Sequence, residues 1–361
     1  MKYRVFFVFL LLLSLTLLGS AQVKILLAPV QTGNLSNFGT GYIDEKGEMI
    51  VKPDYNEGFE FSEDFACYRK ADKWGFVRRG STKVIPAQFG MVRSFREGLA
   101  PARTGMALDA GWGFVDTSGL YAIGASFKDV GEFSGGLANI CIHANTLNGK
   151  WGFINKRGEL IIPADYDRAL PFEDGWARVN KGGGMVGLWG YIDVKGSVVI
   201  PIIYTEIGPF REGLAPVNTS TGLKSNPLTA KWGFIDKTGK IAIEPKFLGA
   251  KEFSEGLAAA KQSDKFPSMW GFIDKQGQWV IPPKYYDVHS YCEGVAAFKE
   301  KGKWGLMNKK GEIIHEAFFQ DIIFPFSNGM IPVKEAGKWG FLDTQGKWVI
   351  KPQFAKAGRF K

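Results

Sequence analysis

Lys231 to Pro245 reads KWGFIDKTGKIAIEP, and the fold follows from how this stretch is read. Trp232, Phe234 and Asp236 alternate with Gly233 and Ile235, the period-two pattern of a strand. Asp236 and Gly239 then sit three apart. A short polar residue opening a type I turn and a glycine closing it suit a tight hairpin. The run that follows, Ile241 to Ile243, is strand-like and is ended by Pro245, which cannot donate to a sheet ladder.

Working outward, the same phrase recurs along the chain. Trp-Gly pairs begin at Trp74, Trp112, Trp151, Trp189, Trp232, Trp270, Trp304 and Trp339, and a ninth copy, TGYID, carries Thr40 in place of tryptophan. Eight of the eleven tryptophans thus share one register, which marks a repeat covering nearly the whole chain. In nearly every copy an aromatic lies eight residues past the turn glycine, as at Tyr204 and Phe247. A second usually follows six residues later, as at Phe210 and Phe253. The stretch between these aromatics is too short and polar for an ordinary helix, and reads as a linker, one helical turn or a short fourth strand. A further strand follows, LAPV at Leu214 to Val217 and its equivalents. Past its last copy of the phrase the chain stops at AKAGRFK, whereas Leu27 to Val30 supplies an LAPV near its start. Each unit therefore reads as a three-stranded meander, with the unit boundary in the aromatic linker. The expected fold is all-β: nine antiparallel three-stranded units in an open, curved, solenoid-like array. The alternative is a closed propeller-like ring, in which the last linker pairs beside Leu27 to Val30.

These residues, KWGFID, VIPP and FSEGLA in fixed order, resemble the bacterial WG-containing repeat family, also called KWG repeats. The resemblance spans about Leu27 to Phe360. It implies an all-β array of a kind found in exported or envelope-associated bacterial proteins, and no shared catalytic activity or ligand. Departures are Thr40, the turn VRRG at Val77 to Gly80, and two outer runs without proline, AIGASF at Ala122 to Phe127 and IHEAFF at Ile314 to Phe319.

The N-terminus has Lys2 and Arg4, an apolar run from Val5 to Leu18 and small residues at Gly19 to Ala21. This is the pattern of a cleavable signal peptide over 1–21, which leaves 22–361 as a single repeat domain. The expected location is the periplasm or the extracellular space, with no stable membrane span after cleavage. No cysteine stands near the cleavage point to carry a lipid anchor. Three cysteines, Cys67, Cys141 and Cys292, make no disulfide framework. The net charge of +9 drops to +7 when Lys2 and Arg4 leave, and its mixed distribution argues against a nucleic-acid partner.

Chemistry-bearing residues are sparse. The three histidines, His143, His289 and His315, fall in different phases of the repeat. No spacing matches a zinc site, a nucleophile elbow or a phosphate loop, so no catalytic residue, metal or cofactor is expected. The turn Asp and Asn residues read as turn caps, and the Glu of EGLA (Glu97, Glu212, Glu255, Glu293) as a solvated loop residue. Regular spacing assigns the eight repeat tryptophans to the core. Trp279 and Trp348 break that register and are the candidate ligand-binding residues. Length varies most between LAPV and WGF, and loops at one point of every unit share one side of an array. The expected function is an exported, non-catalytic scaffold that binds a protein partner through these loops. The alternatives are binding of a glycan or other cell-envelope polymer through exposed aromatics, and, more remotely, a hydrolase.

Overall fold

The computed structural model describes residues 25–33, 39–80, 84–107, 110–142, 149–183, 187–218, 230–262 and 267–361. The expected signal peptide and His143 lie outside them. The described residues form nine four-stranded antiparallel sheets, the blades of a closed β-propeller. Blade 6 is representative, with an inner strand Glu206–Ile207, a second strand Leu214–Asn218, a third strand Trp232–Asp236 and an outer strand Ile241–Phe247. The third-to-outer turns are capped as their sequence predicts: Asp236 Oδ1 accepts from the backbone of Thr238 at 2.8 Å and of Lys240 at 3.1 Å.

The open, solenoid-like array of three-stranded units is overturned on both counts. The stretch between the two aromatics is a strand: Glu206 and Ile207 pair with Asn218 and Val217. Its pairing is short, but it supplies the innermost strand of each blade. Blade 1 takes this strand from the far end of the chain, where Lys356–Ala357 pairs with Ala28–Thr32 through Val30↔Ala357 and Gln31↔Lys356. Backbone bonds between Leu27 and Lys361, at 3.1 and 3.2 Å, extend the seam. Strand pairing of the two chain ends therefore closes the ring.

Closure follows from where the apolar surface lies. One buried cluster occupies each interface between successive blades. Between blades 8 and 9, for example, Trp304, Leu306 and Phe319 pack on Ile322, Phe326 and Ile331. The closing interface is of the same kind, with Trp339, Phe341 and Phe354 of blade 9 on Val30, Ile43 and Phe360 of blade 1. An open array would leave both of these faces in water, at about 1.5–3 kcal/mol for each large side chain. Joining distant ends costs entropy that grows only logarithmically with chain length, so burial wins.

The glycine of each Trp-Gly pair is required by a close approach. The outer strand shifts register beside it, between Trp151 and Phe153 in blade 4, and brings its backbone in. A Cβ on Gly152 would lie 2.5 Å from the carbonyl oxygen of Ile162. Prolines on the outer strand, such as Pro163 and Pro245, remove donors from the outer edge of their blades, which no further strand pairs. Gly124 on the outer strand of blade 3 is the opposite case, with no atom within 4 Å of an added Cβ. Gly152→Ala should lower stability by about 1–3 kcal/mol through forced backbone movement. Gly124→Ala should leave it unchanged or raise it by up to about 1 kcal/mol by restricting the unfolded chain. Chemical denaturation of the two variants checks the pair.

The irregular turn at Val77 to Gly80 acquires a purpose at the seam. Arg79 crosses from blade 2 to the paired chain ends, donating through Nη1 to the carbonyl oxygens of Ile25 at 2.5 Å and Lys361 at 2.6 Å. Its guanidinium lies 4.3 Å from the ring centre of Phe61. Nε and Nη2 are buried and have no partner among the described residues, which offsets part of the gain. Arg79→Ala should therefore destabilise the ring by about 1–3 kcal/mol, read as a lowered thermal midpoint.

Candidate binding site

The antiparallel order sends every second-to-third loop to one end of the ring, and every inner-to-second and third-to-outer turn to the other. The turn end is uniform and cross-tied. Ser62, Ser134, Ser254 and Ser327 each donate Oγ to a carbonyl of the next blade, at 2.6–2.7 Å. The Glu of EGLA, read as a solvated loop residue, takes part in this tie. Glu97 accepts from the backbone N–H of Gly136, Glu212 from Gly256, Glu255 from Gly294 and Glu293 from Gly329. Lys156 and Lys275 add ion pairs to Glu97 and Glu212 at 3.1 and 3.0 Å. These glutamates hold φ of 53–55°, a conformation that costs a non-glycine residue energy and persists where surroundings fix it. The signal for this role was present in the sequence, as an acidic residue before glycine at one fixed point of most units.

The loop end is uneven. Strand bounds leave two residues, Ala71 and Asp72, between the second and third strands of blade 2, and similarly tight connections in blades 8 and 9. Between the corresponding strands, blade 6 has residues 219–231 and blade 3 has 104–111. Blade 1 has residues 33–38 there and blade 5 has 182–187, so the longer connections fall in blade 1 and in blades 3 to 7.

The repeat tryptophans lie at this loop end, each opposite the aromatic of its outer strand, as Trp232 is opposite Phe247. Trp112, Trp304 and Trp339 are buried, and Trp74, Trp151, Trp189, Trp232 and Trp270 are half-buried. Residues on or just past the inner strands cover several: Phe59 over Trp74 at 5.5 Å, Arg93 over Trp112 at 4.6 Å, Lys251 over Trp270 at 5.1 Å. His289 lies between Trp304, at 4.8 Å, and Phe324, stacked at 5.0 Å.

Trp279 and Trp348, on the outer strands of blades 7 and 9, are brought nowhere near each other by the blade order. Each meets a phenylalanine of the preceding blade edge to face, Trp279 with Phe247 at 5.6 Å and Trp348 with Phe319 at 6.0 Å. Trp279 is 36% exposed and Trp348 is half-buried. All three cysteines are free. Burial pushes the Cys67 thiol up to about 12, which makes it an inert core group. His315 meets the carbonyl of Glu316 at 3.0 Å. Among the described residues no three His, Cys, Asp or Glu side chains gather as metal ligands would.

A feature that the sequence reading missed lies on the axis side of blades 1 and 2. A cavity of about 450 Å³ opens there, lined by Val30, Gln31, Thr40, Phe59, Ile323 and Lys356 among others. Inner-strand residues of blades 9, 1, 2 and 3 converge on it, which places the short strands around the central opening.

The geometry thus defines a nine-bladed β-propeller with one constant end and one variable end. The chain belongs to the WG containing repeat family, whose repeat matches residues 41–74, 74–105, 112–143, 151–184, 189–219, 232–266, 270–304, 304–339 and 339–361. No curated protein sequence matches it. Among solved structures it is similar to a eukaryotic initiation factor, with TM-score 0.59 and 11% identity over 92% of this chain and 98% of that one. Apo AztD from Citrobacter koseri gives TM-score 0.41 and 12% identity over 92% of this chain and 96% of that one. Apo prolyl oligopeptidase B from Galerina marginata gives 0.44 and 9%, over 84% of this chain and 51% of that one. At such identities the first of these supports the propeller fold and nothing about activity.

The environment of His289 has a consequence for stability. Burial, with a smaller push from Lys251 and opposed by Asp287, holds its pKa below the ordinary 6.5. As pH falls past that value the unfolded chain takes up a proton that the folded ring resists, so stability declines. Phe59 occupies the equivalent place over Trp74, so a phenylalanine fits there. His289→Phe should therefore lose less of its thermal midpoint than the wild type between about pH 7.5 and about pH 5.5.

Proposed function

We propose that the protein is an exported, non-catalytic scaffold that binds a protein partner at the bacterial cell envelope through the loop end of the ring. The observation that carries this reading is the contrast between the two ends. Tight turns and interblade bonds repeat at one, whereas connection length at the other runs from two residues in blade 2 to residues 219–231 in blade 6. A constant frame with one varied loop series is how repeat proteins present a binding surface. The longer connections fall in blade 1 and in the run of blades 3 to 7. Export rests on the signal-like N-terminus of the sequence.

A second reading, binding of a glycan or cell-wall polymer, is favoured by the exposure of Trp279. Its weakness is geometric: Trp279 and Trp348 stand two blades apart, each already engaged by a phenylalanine. The test is a pull-down from envelope extract with wild type and a variant whose connections in blades 3 to 7 are cut to two-residue turns like that of blade 2. A partner retained by wild type and lost by the variant is the expected result. Retention by both, or capture of polysaccharide that Trp279→Ala abolishes, would move the contact to the blade edges and overturn the loop-end reading.

A further inference from the structure

Each blade ends in an outer strand with one free edge, and in eight of the nine blades that edge carries a guard at the same place. The place is the one after the outer-strand residue that pairs with the third residue of WGF, as Gly124 follows Ile123 opposite Phe114 in blade 3. Pro86, Pro163, Pro201 and Pro282 stand there in blades 2, 4, 5 and 7. Lys52, Glu244, Glu316 and Lys351 stand there in blades 1, 6, 8 and 9. All eight are exposed. A proline has no amide to give to an added strand, and a charge resists being covered by one. Gly124 does neither, and it is exposed with no atom within 4 Å of an added Cβ.

The rest of this edge is open in the same way. Tyr121–Phe127, YAIGASF, contains neither proline nor charge, and each of the other eight outer strands contains at least one of them. Leu120, which leads into it from the turn, is 69% exposed, more than any other large hydrophobic side chain described. The same place holds Glu48, Glu159 and Glu312 in blades 1, 4 and 8, and Lys240 and Lys347 in blades 6 and 9. Two successive guards are thus missing from one strand, which leaves a neutral edge able to take up another strand. The edge also fits itself. About a two-fold axis through Gly124 it lies antiparallel to a second copy, with Gly124 facing Gly124, Ala122 facing Ser126 and Tyr121 facing Phe127. Small side chains occupy the middle and an aromatic pair closes each end, a favourable cross-strand combination. No like charges meet, because Lys128 comes opposite Leu120, which its stem can cover. The eight guarded edges stop the assembly at two copies.

We propose that the outer edge of blade 3 is a self-association surface, through which two copies of this chain pair antiparallel about Gly124 into one continuous eight-stranded sheet. Seven paired residues are a small interface beside the roughly 1,200–2,000 Å² of stable complexes, so the dimer forms in a concentration-dependent way. The surface lies on the circumference of the ring, and the proposal stands independently of the partner reading.

Sedimentation equilibrium of the whole protein tests it. Wild type should pass from monomer to dimer with a midpoint of roughly 1–100 μM. Gly124→Pro installs the residue of blades 2, 4, 5 and 7, and Gly124→Lys sets two ammonium groups face to face at the axis. Each should weaken the dimer at least about tenfold, with a thermal midpoint no lower than that of wild type at a concentration where all are monomeric. Gly124→Cys should cross-link into a dimer on mild oxidation, because paired Cα atoms of antiparallel strands lie about 4.5–5.5 Å apart, within disulfide reach. Lys351→Cys, at the equivalent place in blade 9, should not. The variant with shortened loops in blades 3 to 7 should dimerise as wild type does, and Gly124→Pro should keep any partner that the loop end retains. A wild type still monomeric at about 300 μM would overturn the proposal. Dimerisation unchanged in both Gly124→Pro and Gly124→Lys, or a dimer that Gly124→Cys does not cross-link, would do the same. If Gly124→Pro does not fold, Gly124→Lys and the cross-linking pair decide.

Discussion

Each blade of this protein is a sheet with two apolar faces and no core of its own. A four-stranded sheet of short strands is stable only when something covers it, and here the cover is always the neighbouring blade. The constraint is therefore mutual burial between successive blades, repeated until the last blade meets the first. Phe360, from the end of the chain, is as buried as Phe95, Phe133 and Phe172 in the equivalent places of other blades. The seam is then held by the interactions that hold every interface, with Arg79 and the Glu60–Arg359 pair added where the backbone is discontinuous.

The recurring oddities of the repeat follow from this packing. A glycine after each tryptophan lets the displaced outer strand close onto the third. Glutamates in a left-handed conformation bear a local cost and return an interblade bond to a glycine amide. Prolines on the outer strands blunt edges that would otherwise invite pairing with other chains. All of these act on the frame, and together they make the turn end of the ring nearly the same in every blade. What differs between blades is confined to the loop end, to blade 1 and to the outer edge of blade 3. Variation that burial does not demand is where binding is sought.

Much of this was legible in the amino-acid sequence. Alternation in WGFID, the Asp-to-Gly spacing and the recurrence of the Trp-Gly pair determined strands, hairpins and nine units, because each depends on residues within a few positions of one another. The placement of LAPV near the start and of the bare linker at the end kept a ring in view without requiring one. The fourth strand was obscured because only two of its residues pair and it carries no hydrophobic alternation. Ring closure, the interblade role of Glu97 and its equivalents, the clamp by Arg79 and the cavity on the axis side of blades 1 and 2 came only with the tertiary structure. These depend on which surfaces meet between units: Arg79 and Lys361 are brought into contact by the angle at which nine blades close, and no local pattern encodes that angle.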